Sequence, residues 1–260
     1  MKNVNTKRFL HSAIIILVFL LAVYGKKLLH HFVVISFDSP IINIIYTYSW
    51  WIIPIVITVG LLYGFRNVLK ELCLDKKIFT AFTYSLIAVS PMLISSAIIG
   101  EVDTEINWLS LLYKTLFAGF MEEVLFRGFL FGILFRKLGW GFIPATLLGA
   151  VVFGLGHLYQ GTTTTELIGV FLVTFIGSAW FAWLFIEWGE NLWVPIFLHI
   201  LMNLSWILFS MSDNALGNTY ANIFRFVTIA ITIVATIIYN IKRDKFSVNS
   251  KNLITNNVLL

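Results

Sequence analysis

Long apolar stretches separated by short polar connectors run through the whole chain. They cover about residues 9–25, 41–64, 78–100, 108–135, 140–159, 167–188, 192–209 and 223–241. Each approaches or exceeds the roughly 20 residues that a bilayer crossing needs. The pattern predicts an all-α, polytopic membrane bundle of about eight transmembrane helices. Its parts are a basic N-terminus (1–8), a single transmembrane domain (9–241) and a polar tail (242–260) that short polar sequence predicts to be poorly ordered. The first run follows the basic leader MKNVNTKR and lacks a small-x-small cleavage pattern, so it reads as a retained signal anchor. No solenoid or inverted-half repeat is apparent, which weighs against common transporter architectures.

Composition agrees. Hydrophobic residues make up 59% of the chain and charged residues 12%, against roughly 25% charged in an average soluble domain. The net charge of +5 does not point to nucleic acid, because the Lys and Arg residues lie between apolar runs and read as topology signals. With the N-terminus inside, thirteen of the 18 fall on inner segments and two, Lys26 and Lys27, on outer connectors; Lys114, Arg127 and Arg225 lie within spans. Both termini are therefore expected in the cytoplasm, with the acidic EVDTE and uncharged TTTT connectors outside. The Ile-, Asn- and Lys-rich composition suggests the cell membrane of a low-GC bacterium. One cysteine, Cys73, leaves neither an intramolecular disulfide nor a Cys-rich metal site.

The stretch 118–132, AGFMEEVLFRGFLFG, changes the picture. It places Glu122, Glu123 and Arg127 in an apolar helical run, where each ionised group costs roughly 2.5–3.5 kcal/mol to insert and is a functional candidate. Glu123 and Arg127, four apart, share a face and pair. Glu122 lies about 100° round the helix and has no partner of its own there. Gly128 and Gly132 form a small-xxx-small pair able to seat a neighbouring helix.

Other polar groups lie deep in apolar runs. His157 stands in VVFGLGHLYQ just after Gly154 and Gly156, glycines expected to let another helix approach closely, with Phe153 four residues earlier. His199 stands in WVPIFLHILMNLSW with Asn203 one turn on. Singly, each histidine and Asn203 reads equally well as a satisfied interhelical hydrogen-bonder or as a functional group, and Phe153 reads as core packing. Together they supply an acid, two imidazoles and an amide on three helices, which are costly to bury unless they meet. At about 1.5 Å per residue, helix tilt can bring their depths together.

The order EExxxR (Glu122 to Arg127), FxxxH (Phe153 to His157) and HxxxN (His199 to Asn203) resembles the CPBP family, the CAAX-processing and bacteriocin-processing intramembrane endopeptidases also called Abi. The resemblance covers about 117–203, within a motif-bearing core of about 108–209. It implies peptide-bond hydrolysis in the membrane, with Glu122, His157, His199 and Asn203 as catalytic residues and Glu123, Arg127 and Phe153 in support. In that scheme Glu122 is the base, His157 positions the water, and Asn203 beside His199 holds the oxyanion. No metal is assigned: Glu122, His157 and His199 also form a ligand set seen at catalytic zinc, and the residues leave zinc and a metal-free water both open. HExxH, rhomboid-type GxSx and GxGD patterns are absent.

The expected partners are the lipid bilayer and a membrane-bound peptide or protein substrate. The polar cavity is expected between the fourth, fifth and seventh spans, opening to the cytoplasm or laterally to lipid. Two rivals stand beside this reading: a catalytically silent immunity or regulatory protein of the same family, and a small-solute transporter using an intramembrane carboxylate as proton relay.

Overall fold

The computed structural model describes residues 2–102 and 106–256, with side chains from Thr6 on. Part of the acidic 101–105 turn and the last four positions lie outside the described residues. The helices are α1 (Lys2–Phe32), α2 (Pro40–Tyr63), α3 (Val68–Glu71), α4 (Ile78–Ile99), α5 (Trp108–Leu112), α6 (Ala118–Glu123), α7 (Gly132–Lys137), α8 (Phe142–Gly156), α9 (Thr164–Glu187), α10 (Trp193–Leu208) and α11 (Thr219–Ile241). Two π-helical segments, Tyr113–Phe117 and Val124–Phe131, join α5, α6 and α7 into one run, 108–137. Among the described residues there is no strand, only an isolated bridge between Trp140 and Thr255.

Among the described residues six helices are long and apolar enough to cross a membrane, and α10 is a shorter apolar one. With the run 108–137 this is the helical membrane bundle that the apolar pattern predicts, eight being an approximate number. The first helix differs from expectation. It passes the predicted end near Gly25 and continues to Phe32, carrying Lys26, Lys27, His30 and His31 on its last turns. Lys26 Nζ donates to Thr47 Oγ1 at 2.6 Å and His30 stacks on Tyr46, so these two find partners without the helix ending.

The chain divides into two compact units. The first comprises Met1–Asp75, Met121–Ala145 and Lys251–Leu260. Within it Gly25 admits Trp50 to within 2.8 Å of where a Cβ would stand, and Phe19 meets Phe126 edge to face. Lys137 pairs with the buried Glu71 at 2.9 Å, and Arg136 donates to the Glu71 carbonyl. These contacts fasten the end of the 108–137 run to α3.

The 242–260 tail is not loose over its described part. In the first unit Asn252 O and Leu253 O accept from Phe142 N and Ile143 N at 2.8 and 2.9 Å, capping two of the amides that a helix N-terminus leaves without internal partners. Asn256 donates from its backbone to Gly139 O and from Nδ2 to Phe135 O. The strap crosses Gly141 so closely that a Cβ there would stand 2.1 Å from Ile254 C. Gly141→Ala is therefore expected to cost about 1–3 kcal/mol, the range for overpacking. It should be read as a lower unfolding temperature in detergent; an unchanged temperature would mean the strap does not seat there.

The second unit, Lys76–Phe120 and Thr146–Ser250, is built on α4, which packs against α10 and α11. Ala88, Val89, Met92, Leu184, Val194 and Leu198 form its apolar centre. One face of α11 is polar and buried: Thr228, Thr232, Thr236 and Asn240. Trp188 Nε1 donates to Thr236 Oγ1 at 2.9 Å, and Asn240 Nδ2 donates to Glu187 at 2.7 Å. The buried Glu187 carboxylate also accepts from Ser247 N and Val248 N, both at 3.0 Å. Spacing by four places these groups on one side of α11, where Tyr84 and Trp188 meet Thr236 and Glu187 meets Asn240 in place of water.

Candidate active site

In the first unit, Arg127 Nη1 donates to Glu123 Oε1 at 3.1 Å, and both side chains are fully enclosed, 2% and 0% exposed. The expected pair is present. Glu122 departs from expectation, since Arg127 interacts electrostatically with both carboxylates, Glu123 first and Glu122 second. The helical period leaves Glu122 without a partner on its own helix because it assumes an α-turn. The turn that follows Glu123 is π-helical, with Gly132 N reaching back to Arg127 O. In that wider turn the i→i+5 relation replaces i→i+4, so a residue five before Arg127 shares its surroundings. Glu122 itself is half-buried.

In the second unit α8 stops at Gly156, and His157 N bonds to Gly154 O in a tightened final turn. The Phe153 carbonyl, which His157 N would take in a continuing helix, instead accepts from the His157 ring at Nδ1, 2.7 Å away. A carbonyl oxygen cannot donate, so Nδ1 carries the proton, and in a neutral ring the lone pair then falls on Nε2. The FxxxH spacing thus sets a tautomer. The Phe153 ring lies 4.4 Å from the His157 ring and 6.5 Å from His199, and Phe181 flanks His199 at 5.8 Å. Of the sequence candidates, His157, Phe153 and His199 are brought together here.

Asn203 is held from another direction. In the π segment Tyr113–Phe117, Ala118 N reaches Tyr113 O and Thr115 O. Lys114 O, the acceptor of that amide in an α-helix, takes Asn203 Nδ2 at 3.1 Å instead. One amide proton of Asn203 is spent there and one remains.

The small residues divide differently from the sequence expectation. Gly154 admits Phe171, whose ring atoms lie 2.8 and 2.9 Å from an added Cβ, whereas Gly156 faces open space. A close helix approach that the sequence did not single out is seen at Gly119. A Cβ there would meet Ile200 Cγ1 at 2.7 Å and Ile200 N at 3.0 Å. Because Ile200 follows His199, this crossing fixes the backbone beside the imidazole. Its only sequence signal is a glycine three residues before Glu122. Gly119→Ala should push α10 away, since the obstacle includes backbone, and cost about 1–3 kcal/mol. Detergent unfolding measures this; retained stability with an unchanged fold would show that the crossing tolerates a methyl group.

Among the described residues no group of three or more His, Cys, Asp or Glu side chains is arranged to hold a metal ion, and Nδ1 of His157 is already engaged.

Residues 104–205 match a family model described as Rce1-like, type II CAAX prenyl endopeptidase Rce1-like. The matched segment contains Glu122, Glu123, Arg127, Phe153, His157, His199 and Asn203 and is consistent with the CPBP family. At family level it supports an intramembrane protease in a multi-pass membrane protein. No curated protein and no solved structure matches the chain.

Proposed function

We propose that this chain, matched to the Rce1-like endopeptidases over residues 104–205, hydrolyses a peptide bond of a membrane-anchored protein or peptide. Glu122 takes a proton from water, and the hydroxide formed attacks the scissile carbonyl carbon. Nε2 of His157 accepts a hydrogen bond from that water and aims it. The free amide proton of Asn203, with His199 beside it, donates to the developing oxyanion. As the carbon–nitrogen bond breaks, Glu122 returns its proton to the departing amine. Glu123 and Arg127 position the helix that carries the base.

The observation that carries this reading is the anchored tautomer of His157, whose Nδ1–H is fixed on Phe153 O. A histidine acting only as an interhelical bridge needs no such pre-set lone pair. The match to a prenyl endopeptidase family brings a lipidated C-terminal segment into the substrate range. A bacterial peptide precursor or membrane regulator fits the same site chemistry.

The test is cleavage of a membrane-peptide library by purified protein in detergent, using wild type and His157→Ala, each with and without a zinc chelator. Cleavage by wild type and its loss in His157→Ala support the reading, and sensitivity to the chelator adds a metal to it. Equal cleavage by both variants means a contaminating protease and returns the silent-relative reading to the front.

A further inference from the structure

Within the second unit, the turn that follows His157 is tied to a loop that also grips α10. Leu158–Gln160 is a single tight turn in which Gln160 N donates to His157 O at 3.0 Å. The Gln160 side chain reaches away from that turn, and its Oε1 accepts from Ala215 N at 2.8 Å. Ala215 belongs to the loop 209–218 between α10 and α11. Arg225, on the second turn of α11, holds this loop from another side. Its Nη1 donates to Ala215 O at 2.7 Å and its Nη2 to Leu216 O at 2.8 Å. Asn222 Nδ2 gives the Leu216 carbonyl a second bond at 3.0 Å, and Asn222 Oδ1 accepts from Arg225. Leu216 itself packs on α9, where a Cβ on Gly169 would stand 2.6 Å from its Cδ1.

The same guanidinium faces the Trp206 ring at 4.8 Å, and Trp206 Nε1 donates to Asn214 O at 3.3 Å. Gly217, at φ +77°, approaches that ring so closely that a Cβ would stand 2.7 Å from it. Trp206 follows Asn203 by three residues and His199 by seven, which places it on their face of α10. One loop therefore bonds to the residue three beyond His157 and packs on the ring one turn beyond Asn203. Arginine suits this post for a physical reason. Its planar fork serves two successive carbonyls while its face lies on an aromatic ring, and a lysine ammonium cannot do both.

We propose that the 209–218 loop is a brace holding the His157 turn and the Asn203 helix in fixed relation, with Gln160 and Arg225 as positioning residues. Their part in cleavage rests on the endopeptidase reading; the brace itself does not. Neither side chain is assigned a contact with water or substrate. The water aimed by His157 and the amide proton of Asn203 must meet the same carbonyl group. Their mutual placement therefore sets the rate, and a displacement of about 1 Å lowers it by up to about 10²-fold.

The experiment combines amide hydrogen exchange with kinetics on the full purified chain in detergent, for wild type, Gln160→Leu, Gln160→Glu and Arg225→Lys. Leu fills the space of Gln without an acceptor, Glu keeps an oxygen for Ala215 N, and Lys keeps the charge but loses the fork. In Gln160→Leu, exchange read by mass spectrometry is expected to rise in peptides covering 157–161 and 209–218 and to stay at the wild-type level in α4. On a library peptide that wild type cleaves, kcat should fall by about 10–10²-fold with KM unchanged, and Gln160→Glu should keep most of the rate. A purely structural role would lower the folded fraction and the unfolding temperature but leave kcat per folded molecule at the wild-type value. Unchanged exchange at 157–161 in Gln160→Leu overturns the brace. Raised exchange with wild-type kcat overturns the positioning role. If Gln160→Leu does not accumulate, Arg225→Lys is judged by the same two criteria. If wild type cleaves nothing, the endopeptidase reading falls, and exchange alone still decides the brace.

Discussion

Glu122→Gln is expected to reduce peptide cleavage by roughly 10²–10⁴-fold, the usual contribution of a positioned general base, while the protein still accumulates and folds. Gln keeps the volume and a hydrogen-bonding oxygen but has no lone pair basic enough to take a proton from water. Folding should survive because Arg127 keeps its direct partner, Glu123, at 3.1 Å. The enclosed site loses one of two carboxylates acting on a single guanidinium, which eases like-charge crowding. Glu122→Asp separates base from relay. Drawing the carboxylate back by one methylene misplaces a base that must meet both water and carbonyl, whereas a proton relay tolerates the change. Cleavage by Glu122→Gln at the wild-type rate would remove Glu122 as the base.

Arg127→Leu is expected to destabilise the fold strongly, by about 3–5 kcal/mol, the cost of leaving a buried charge without its counterpart. Both members of the pair are enclosed in protein, so neither water nor snorkelling to the interface can compensate. The companion variant makes the explanation specific. Glu123→Met combined with Arg127→Leu removes both charges at similar volume, and such exchanges are often neutral or stabilising. The double variant should recover most of the lost stability, measured as unfolding temperature and monodispersity in detergent. If it also cleaves, the pair only holds the helix. If it folds but does not cleave, the pair aims Glu122. A stable Arg127→Leu single variant would mean that the enclosed charges are not what holds this helix.

Much of this protein is legible in its order of residues. Apolar runs of bilayer length, broken by polar connectors, dictate membrane helices because lipid offers no partner for an unbonded backbone amide. The same physics makes Glu122, Glu123, Arg127, His157, His199 and Asn203 stand out, since a polar group is expensive wherever its neighbours are apolar. The Glu123–Arg127 pair follows from spacing alone, because four residues close one turn.

What the spacing rules missed comes from departures from the regular helix. The π turns at Tyr113–Phe117 and Val124–Phe131 bring Glu122 into the surroundings of Arg127 and free Lys114 O for Asn203, and no local sequence signal marks them. The contact at Gly119 depends on which helix crosses there, so one glycine among 17 could not be singled out. The tail reads as loose because its own residues are polar and short-range. Its order comes from acceptors and donors more than a hundred positions away, at Phe142, Ile143 and Phe135. The chemical inventory and the membrane setting were thus settled by the sequence, through the cost of burying charge and backbone in hydrocarbon. The ring bond of His157 and the partners of Glu122 and Asn203 were decided only in three dimensions. Each depends on where a helix gives up its regular hydrogen bonds and what then takes their place.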